Sequence, residues 1–277
     1  MTFRVYEPCP AFPPVSLSER CALNCRHCRG HYLDGMATVP PPALFDHALT
    51  LADKNAKGLL VSGGSDRRGR LLRLGEALDS MTAIREQTDL VVAVHAGIVD
   101  AALASRLAEA CDVAFVDVVG SDRTAREVIG LENAAPYRRT LRLLVEAGVP
   151  VTPHVTVGLH GGCIVGEEAA IDVVGSQPVE KMVVNVVCPT PGTPFASVSP
   201  PPTDAIAALL EYAVERCDSV ALGCMRPRGR PDIERAAIDA GVRGMVLPSR
   251  ETLDMLAAEA IDVERLAGCC GLPDGFL

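Results

Sequence analysis

Short apolar runs rich in Val and Leu alternate with amphipathic stretches along almost the whole chain, and this alternation limits the possible folds more than any other feature. The stretches between the runs repeat their apolar residues at the period of an α-helix. Repeated strand-and-helix units favour a parallel sheet, and eight of them close a TIM-type barrel. We therefore predict an α/β fold, a full (β/α)8 barrel. The predicted strands are 15–18, 58–62, 90–95, 113–117, 151–157, 181–187, 219–223 and 244–248, and the predicted helices are 43–55, 72–86, 100–110, 136–147, 166–174, 204–216, 231–240 and 251–260.

The 277 residues contain no linker long enough to separate two domains. We expect one barrel domain over residues 1–277, with residues 1–14 as a lead-in and residues 261–277 as a C-terminal tail. The net charge of -9, without a basic run, argues against nucleic acid as a partner. No stretch reaches the ~18 uninterrupted apolar residues of a membrane span. Residues 1–4 lack a secretory signal, so we expect a soluble, cytoplasmic protein that does not bind membranes.

Three cysteines lie close together after the first predicted strand, in the spacing CxxxCxxC: Cys21, Cys25 and Cys28. Eleven cysteines in a chain without an export signal indicate reduced thiols and metal rather than disulfides. Four thiolates would close a [4Fe-4S] cluster, whereas three leave one iron open to a small molecule. The spacing predicts a cluster with one iron available for chemistry.

Two other interpretations compete with the cluster. A structural zinc site takes four closed ligands, and His27 would have to complete the set. We expect His27 to be too tightly placed between Arg26 and Cys28 to share one tetrahedron with them. Three unrelated buried thiols are the other alternative, but arginines flank this loop on both sides.

The CxxxCxxC spacing resembles that of the radical S-adenosylmethionine (radical SAM) superfamily. The resemblance implies a [4Fe-4S] cluster whose free iron takes the amino and carboxylate groups of SAM. It also implies reductive cleavage of SAM to a 5′-deoxyadenosyl radical, which takes a hydrogen atom from the substrate. The sequence itself assigns no catalytic residue.

The carboxyl ends of the predicted strands supply the candidate cofactor ligands, because chemistry gathers at that face of such a barrel. Ser62, Gly63, Gly64 and Asp66 follow the second strand and resemble the Gly-Gly-Glu segment that binds the SAM amino group, with Ser65 in place of Glu. The alternative is a plain strand-to-helix turn. His95, Asp117, His154, His160 and Asn185 lie at or near other strand ends.

Asp117 and His154 are candidates for hydrogen bonds to the ribose hydroxyls or to the methionine carboxylate, although polar residues at strand ends also serve as ordinary loop hydrogen-bonders. Pro191 and Gly192 lie in the run 189–194, which is similar to turns beside adenosine in biotin synthase relatives. Structurally this run is a rigid turn.

A second group of cysteines, Cys224, Cys269 and Cys270, suggests an auxiliary [4Fe-4S] cluster. Its fourth ligand stays open between Cys9, Ser249 and another residue, and Ser249 is first of all a good helix N-cap. The tail has to return to the barrel mouth after the last helix, and residues 261–277 are long enough if partly extended. The remaining cysteines are ordinary small apolar residues in this interpretation.

Several segments together look like the second subunit of the two-component lipoyl synthase family: 18–33, 158–161, 222–227 and the Cys269-Cys270 pair. That resemblance implies a sulfurtransferase that inserts sulfur from an auxiliary cluster into a protein-bound octanoyl chain. Its implied partners are a second radical SAM subunit, an octanoylated carrier protein and an electron donor such as ferredoxin or flavodoxin. One alternative is a biotin-synthase-like enzyme acting on a free small molecule. The other is a non-catalytic iron-sulfur or zinc scaffold.

Overall fold

The computed structural model describes residues 2–276 as one parallel sheet with helices on its outer face. Its strands are β1 (Thr2–Tyr6), β2 (Pro14–Ser16), β3 (Ala37–Thr38), β4 (Gly58–Ser62), β5 (Val91–His95), β6 (Val113–Asp117), β7 (Val151–Val157), β8 (Lys181–Val186), β9 (Ser219–Leu222), β10 (Gly244–Val246) and β11 (Asp262–Leu266). They pair in the order β11-β1-β10-β9-β8-β7-β6-β5-β4-β2-β3.

Nine α-helices lie between these strands in the described residues. They are α1 (Leu44–Asp53), α2 (Leu74–Gln87), α3 (Ala101–Ala110), α4 (Asp122–Thr124), α5 (Ala135–Glu146), α6 (Glu167–Gly175), α7 (Thr203–Val214), α8 (Pro231–Asp239) and α9 (Arg250–Ala258). Short 3-10 turns lie at His31–Gly35 and Pro41–Ala43, and a π-helical turn lies at Ala125–Ile129. Side-chain caps begin three of the helices: Asp100 accepts from Leu103 N–H, Ser121 accepts from Thr124 N–H, and Ser249 accepts from Thr252 N–H.

All eight predicted strands and all eight predicted helices are present, so the α/β prediction is confirmed. Closure of the full (β/α)8 barrel is not confirmed. Among residues 2–276 the sheet is open, because its edge strands β11 and β3 are not hydrogen-bonded to each other. The lead-in contributes an unpredicted strand, β1, which pairs with β10 along one edge. Strand β11 pairs with the other edge of β1.

Alternate residues of each strand face two different cores, as a pleated strand requires. In β6, Ala114 and Val116 pack into the large core beneath the helices. Val113 and Phe115 face the inside of the curved sheet, called the bore here, and pack with Phe12 and Leu272. The continuous apolar runs seen in the sequence therefore reflect burial on both faces.

Residues 267–276, called the tail here, lie inside the bore. Strand β11 runs parallel to β1 and brings the chain back toward the carboxyl ends of the strands. Cys270 then packs against Tyr6, Val183 and Ala221 from three separate strands. Lys181, the first residue of β8, donates a hydrogen bond to the Leu272 carbonyl at 2.8 Å. The tail thus passes through the bore toward the opposite end of the strands.

In the part of the chain that the structure describes, no helix combines the length and the apolar character needed to cross a membrane.

A buried ion pair fixes the loop after β9. Arg226 donates to Glu234 Oε1 at 2.7 Å, and the two side chains are 0% and 3% exposed. The second Glu234 oxygen accepts from the Thr252 hydroxyl at 2.6 Å and from Ser249 N–H at 2.8 Å. This network ties the loop that carries Cys224 to α8 and to the start of α9.

We expect Glu234→Leu to lower the free energy of unfolding by about 3 to 5 kcal/mol, because it leaves the Arg226 guanidinium buried without its partner. Adding Arg226→Met should recover part of that loss, since the unpaired charge is then gone. Urea denaturation of both variants measures these changes. Glu146→Gln, which breaks an exposed helical pair with Arg142, is the control and should cost less than about 1 kcal/mol. An unchanged midpoint for Glu234→Leu would contradict the expectation.

Candidate active site

The three cysteines of the CxxxCxxC segment lie in the loop between β2 and the 3-10 turn His31–Gly35. Potential ligand atoms of Cys25, His27 and Cys28 all lie within 4.8 Å of one another. The Cys25 thiol donates a hydrogen bond to the Cys28 sulfur, which lowers the pKa of Cys28 and raises that of Cys25. The pairing thus favours the thiolate form of Cys28, which is the form that binds metal.

The position of His27 corrects one step of the sequence reasoning. We expected steric crowding to keep His27 away from its neighbours' ligand positions, yet its ring lies within reach of both sulfurs. The Nδ1 atom is also buried without a hydrogen-bond partner in the described residues. Crowding therefore does not exclude His27 as a ligand, and the distinction between zinc and a cluster rests on the three thiols and on the family comparison below.

The second of the two glycines after β4, Gly64, packs directly beneath the cysteine loop. A Cβ atom on Gly64 would lie 2.6 Å from the Arg20 carbonyl carbon and 2.8 Å from Cys21 Cα. The close approach allows Ser65 N–H to donate to Cys21 Sγ at 3.3 Å, and Ala22 N–H to donate to the Ser65 carbonyl at 2.7 Å. Because only glycine fits at position 64, the segment 62–65 and the cysteine loop form one unit.

Asp66 is tied into its own turn. Its Oδ1 atom accepts from Arg68 N–H at 2.7 Å and from Arg70 N–H at 3.0 Å. This gives Asp66 a structural role, in agreement with the plain-turn alternative. Its predicted contact with the SAM amino group stays a prediction, as do those of Ser62 and Gly63.

His95, Asp117 and His154 come together at the inner face of β5, β6 and β7. His95 Nε2 lies 3.8 Å from Asp117 Oδ1, and the two imidazole centroids are 5.9 Å apart. His154 Nδ1 must donate to the Thr152 carbonyl at 3.0 Å, which leaves Nε2 as an acceptor. Burial, with His95 beside it, lowers the pKa of His154 to about 4. A neutral imidazole acceptor thus faces the bore.

Asn185 lies on β8, two residues beyond Val183, the partner of His154 in the sheet register. Its Oδ1 atom is buried and has no hydrogen-bond partner among the described residues. Gly223 gives this side chain its room, because a Cβ there would lie 3.0 Å from Asn185 Cγ. An unpartnered buried amide oxygen is costly and is a common mark of a ligand contact.

The Pro191-Gly192 turn lies beside the cysteine loop. Tyr32, just after that loop, shares a hydrogen bond of 3.1 Å with the Thr190 hydroxyl. The His27 and Phe195 rings meet edge to face at 6.3 Å. His160 lies elsewhere: its Nδ1 is 3.3 Å from the Thr124 hydroxyl and its Nε2 is 3.5 Å from Glu127.

The second cysteine group is partly assembled. Cys270 donates a hydrogen bond to Cys269, which lowers the pKa of Cys269 and raises that of Cys270. Cys224 is near enough for its charge to raise the Cys270 pKa further, although Cys224 itself is exposed at the bore mouth. Of the proposed fourth ligands, Ser249 is occupied as the cap of α9, and Cys9 is exposed. Whether these residues hold metal stays a prediction.

Sequence reasoning missed the side chains that hold these loops. Arg228 donates to the Cys224 carbonyl at 3.1 Å, and Arg226 donates to the Gly223 carbonyl at 2.9 Å. Tyr137 is buried, which raises its pKa, and the charge of Asp117 raises it further. The Arg-Pro-Arg run at 226–228, which begins three residues after a predicted strand, is the signal in the sequence for the first two.

The family described as the Radical SAM superfamily matches residues 15–170, more than half of the chain. No curated protein matches. Among solved structures, HydG, a maturase of the [FeFe]-hydrogenase, is 15% identical with a TM-score of 0.62 over 88% of this chain and 56% of that one. Methylornithine synthase (PylB) is 13% identical with a TM-score of 0.62 over 95% of this chain and 84% of that one.

SuiB of Streptococcus suis bound to S-adenosylmethionine is 14% identical with a TM-score of 0.55 over 74% of this chain and 47% of that one. The chain therefore spans only about half the length of HydG and SuiB. At these identities the similarity shows the fold.

We expect Gly64→Ala to lose most of the iron bound by the cysteine loop, because the added methyl group displaces the Arg20–Cys21 backbone. Iron and acid-labile sulfide per chain after anaerobic reconstitution measure this loss. Gly75→Ala is the matched control, since a Cβ at that position in α2 meets no atom within 4 Å. Equal iron in both variants would contradict the packing argument.

The neutral state of His154 predicts a pH-dependent stability difference. Its pKa is about 4 in the fold against 6.5 for the free side chain, so the unfolded chain binds the proton first and stability falls as pH drops from about 6.5 to about 4. His154→Gln should lose this pH dependence. The difference between the unfolding free energies of the wild type and the variant should therefore change between pH 6.5 and pH 4. Parallel curves from pH 7 to pH 4 would show that His154 is not buried as a neutral ring.

Proposed function

The chain belongs to the radical SAM superfamily, and we propose that it is a sulfur-inserting member that carries a second cluster on Cys224, Cys269 and Cys270. As a radical SAM enzyme it uses a [4Fe-4S] cluster and S-adenosylmethionine. The observation that carries the proposal is the course of the tail. It brings two cysteines into the bore, below the loop that holds Cys224.

The cysteine loop fits the first cluster. It offers three thiols, of which Cys28 has a lowered pKa, on a backbone fixed by the Gly64 contact. When bound, the cluster and SAM supply a strongly oxidising alkyl radical. The chain's own residues then have to bind SAM, exclude water and hold the substrate. We assign SAM binding to the segment 62–66, to Asp117, His154 and Asn185, and to the Pro191-Gly192 turn.

The second cysteine group supports sulfur insertion rather than simple hydrogen abstraction. Cys269 and Cys270 lie on the inner side of the sheet, where Cys270 packs against Val183 and Ala221, deeper in the bore than Asn185 and Gly223. A carbon held at the mouth would thus have the radical source above it and a sulfide source below it. Positioning of this kind is what makes attack on an unactivated C–H bond productive.

Within this proposal the substrate is an octanoyl chain on a carrier protein, with a second radical SAM subunit as partner. An electron donor such as ferredoxin or flavodoxin would supply the reducing electron. The support for this finer assignment is the resemblance of the segments at 18–33, 158–161 and 222–227.

One observation favours a second candidate, a biotin-synthase-like enzyme acting on a free small molecule. The tail fills the lower bore, where Gly271 lies against the Phe115 ring and Leu272 is 1% exposed. A long extended chain that entered from the mouth would therefore meet the tail along the axis of the bore, whereas a compact substrate would not have to reach that depth. Product analysis with octanoylated carrier protein against free acids of similar length separates the two candidates.

We expect anaerobically reconstituted wild-type protein to bind about eight irons per chain, and the Cys224/Cys269/Cys270→Ala variant to bind about four. Reductive SAM cleavage, followed as 5′-deoxyadenosine, should survive in that variant. Replacing Cys21, Cys25 and Cys28 by Ala should abolish cleavage, because the SAM-binding cluster is then lost.

The matched control replaces three cysteines outside both groups, Cys111, Cys163 and Cys217, by Ala and should keep the wild-type iron content. About four irons in the wild type and in the Cys224/Cys269/Cys270 variant alike would overturn the second cluster. A single-cluster radical enzyme would then remain.

A further inference from the structure

Lys181 is a fully buried lysine at the end of the bore where the strands begin. Its side chain is 2% exposed, although it is the first residue of β8. The three N–H donors of an ammonium group meet three acceptors: the Tyr6 hydroxyl at 2.7 Å, the Leu272 carbonyl at 2.8 Å and Asp274 Oδ1 at 3.2 Å. A buried charge survives only when its donors are satisfied in this way.

Two of these three acceptors belong to the tail. Asp274 also pairs with Arg4 of β1, and its other oxygen accepts from the Ser219 hydroxyl of β9 at 3.4 Å. Three strands, β1, β8 and β9, therefore hold the same tail carboxylate. The layer above Lys181 is the apolar cluster of Tyr6, Val183, Ala221 and Val246. The charge of Lys181 therefore serves the contact with the tail and not the packing of the strands.

The anchored segment begins two residues after the cysteine pair. Gly271 connects them and fits against the Phe115 ring, where a Cβ would lie 2.6 Å from Cε1. Between this contact above and Lys181 below, the tail has little freedom to slide along the bore. The contacts of Leu272 and Asp274 therefore fix where Cys269 and Cys270 lie along the bore relative to Cys224.

We propose that Lys181 is a positioning residue that locks the tail into the bore through Leu272 and Asp274 and so holds Cys269 and Cys270 opposite Cys224. This proposal deepens the proposed function and rests on it as regards metal, but the docking itself is a property of the chain. The ammonium group also places a positive charge beneath the two cysteines. Such a charge favours the negative charge that thiolate ligands bring to a cluster.

The docking is tested by the reactivity of the tail thiols in the full-length, metal-free protein. Iodoacetamide labelling is followed by trypsin digestion and mass spectrometry. Since Arg265 is the last basic residue, one peptide, 266–277, reports Cys269 and Cys270 without the other cysteines. We expect Lys181→Met to raise the labelling rate of this peptide by at least about tenfold, because local opening then exposes the thiols.

Asp274→Asn is the second variant, for the case that Lys181→Met does not fold. It keeps the lysine and removes only the tail's charge, and it should raise the same labelling rate in the same direction. Lys57→Met, at an exposed lysine, is the control and should label at the wild-type rate. Equal rates in the wild type, Lys181→Met and Asp274→Asn would overturn the proposal.

Iron content then separates the anchor from the proposed function. With two clusters in the wild type, we expect Lys181→Met and Asp274→Asn to lose iron from the second cluster only, while SAM cleavage continues. The reduction potential of any second cluster that remains in Lys181→Met should be lower than in the wild type, which a purely structural role would not produce. A wild type with about four irons removes the second cluster but leaves the labelling result to decide the docking.

Discussion

The contact between Gly64 and the Arg20–Cys21 backbone is the constraint on which the upper half of the molecule depends. Strands β2 and β4 are neighbours in the sheet, so the loops that follow them emerge side by side. Any side chain at position 64 would separate those loops. Their contact supports the cysteine loop from below. This loop, although rich in polar residues and without a strand or helix of its own, therefore keeps one conformation. The candidate SAM-binding segment and the cluster loop are therefore positioned by the same atoms.

A second constraint acts from the other end of the strands. Lys181, Arg4 and Ser219 meet Asp274 at the amino ends of three strands, and the chain between this point and β11 has to pass through the bore. The tail consequently packs the interior of the sheet, as large inward-facing side chains do in closed barrels of this type. An open sheet can be stable here because its interior is filled by its own C-terminus.

Much of this fold can be predicted from the sequence. The parts that cannot be predicted have one physical cause in common. Strands β4 to β10 are predicted because burial on both faces makes them continuous apolar runs. β1 escapes prediction because Arg4 interrupts its pattern, and β11 because Asp262, Glu264 and Arg265 make it look like a loop. Both are defined by pairing with residues far away in the chain, as when Arg4 meets Gly244, and no local pattern encodes such a pairing. The cysteines of the site can be predicted for the opposite reason, because their spacing along the chain is a local pattern.

Phe115 divides the bore into two levels with different chemistry. Its ring lies 5.3 Å from the His154 ring on the upper side and touches Gly271 on the lower side. Above it the groups are polar, with a neutral imidazole and an unpartnered Asn185 oxygen. Below it lies the tail, with a cavity of about 190 Å³ between the tail, β1 and β11. Entry into the bore from its mouth is thus limited by one aromatic ring and by the glycine packed against it. Because both tail cysteines directly precede that glycine in the chain, the limit on entry and the position of the second cysteine group are fixed together.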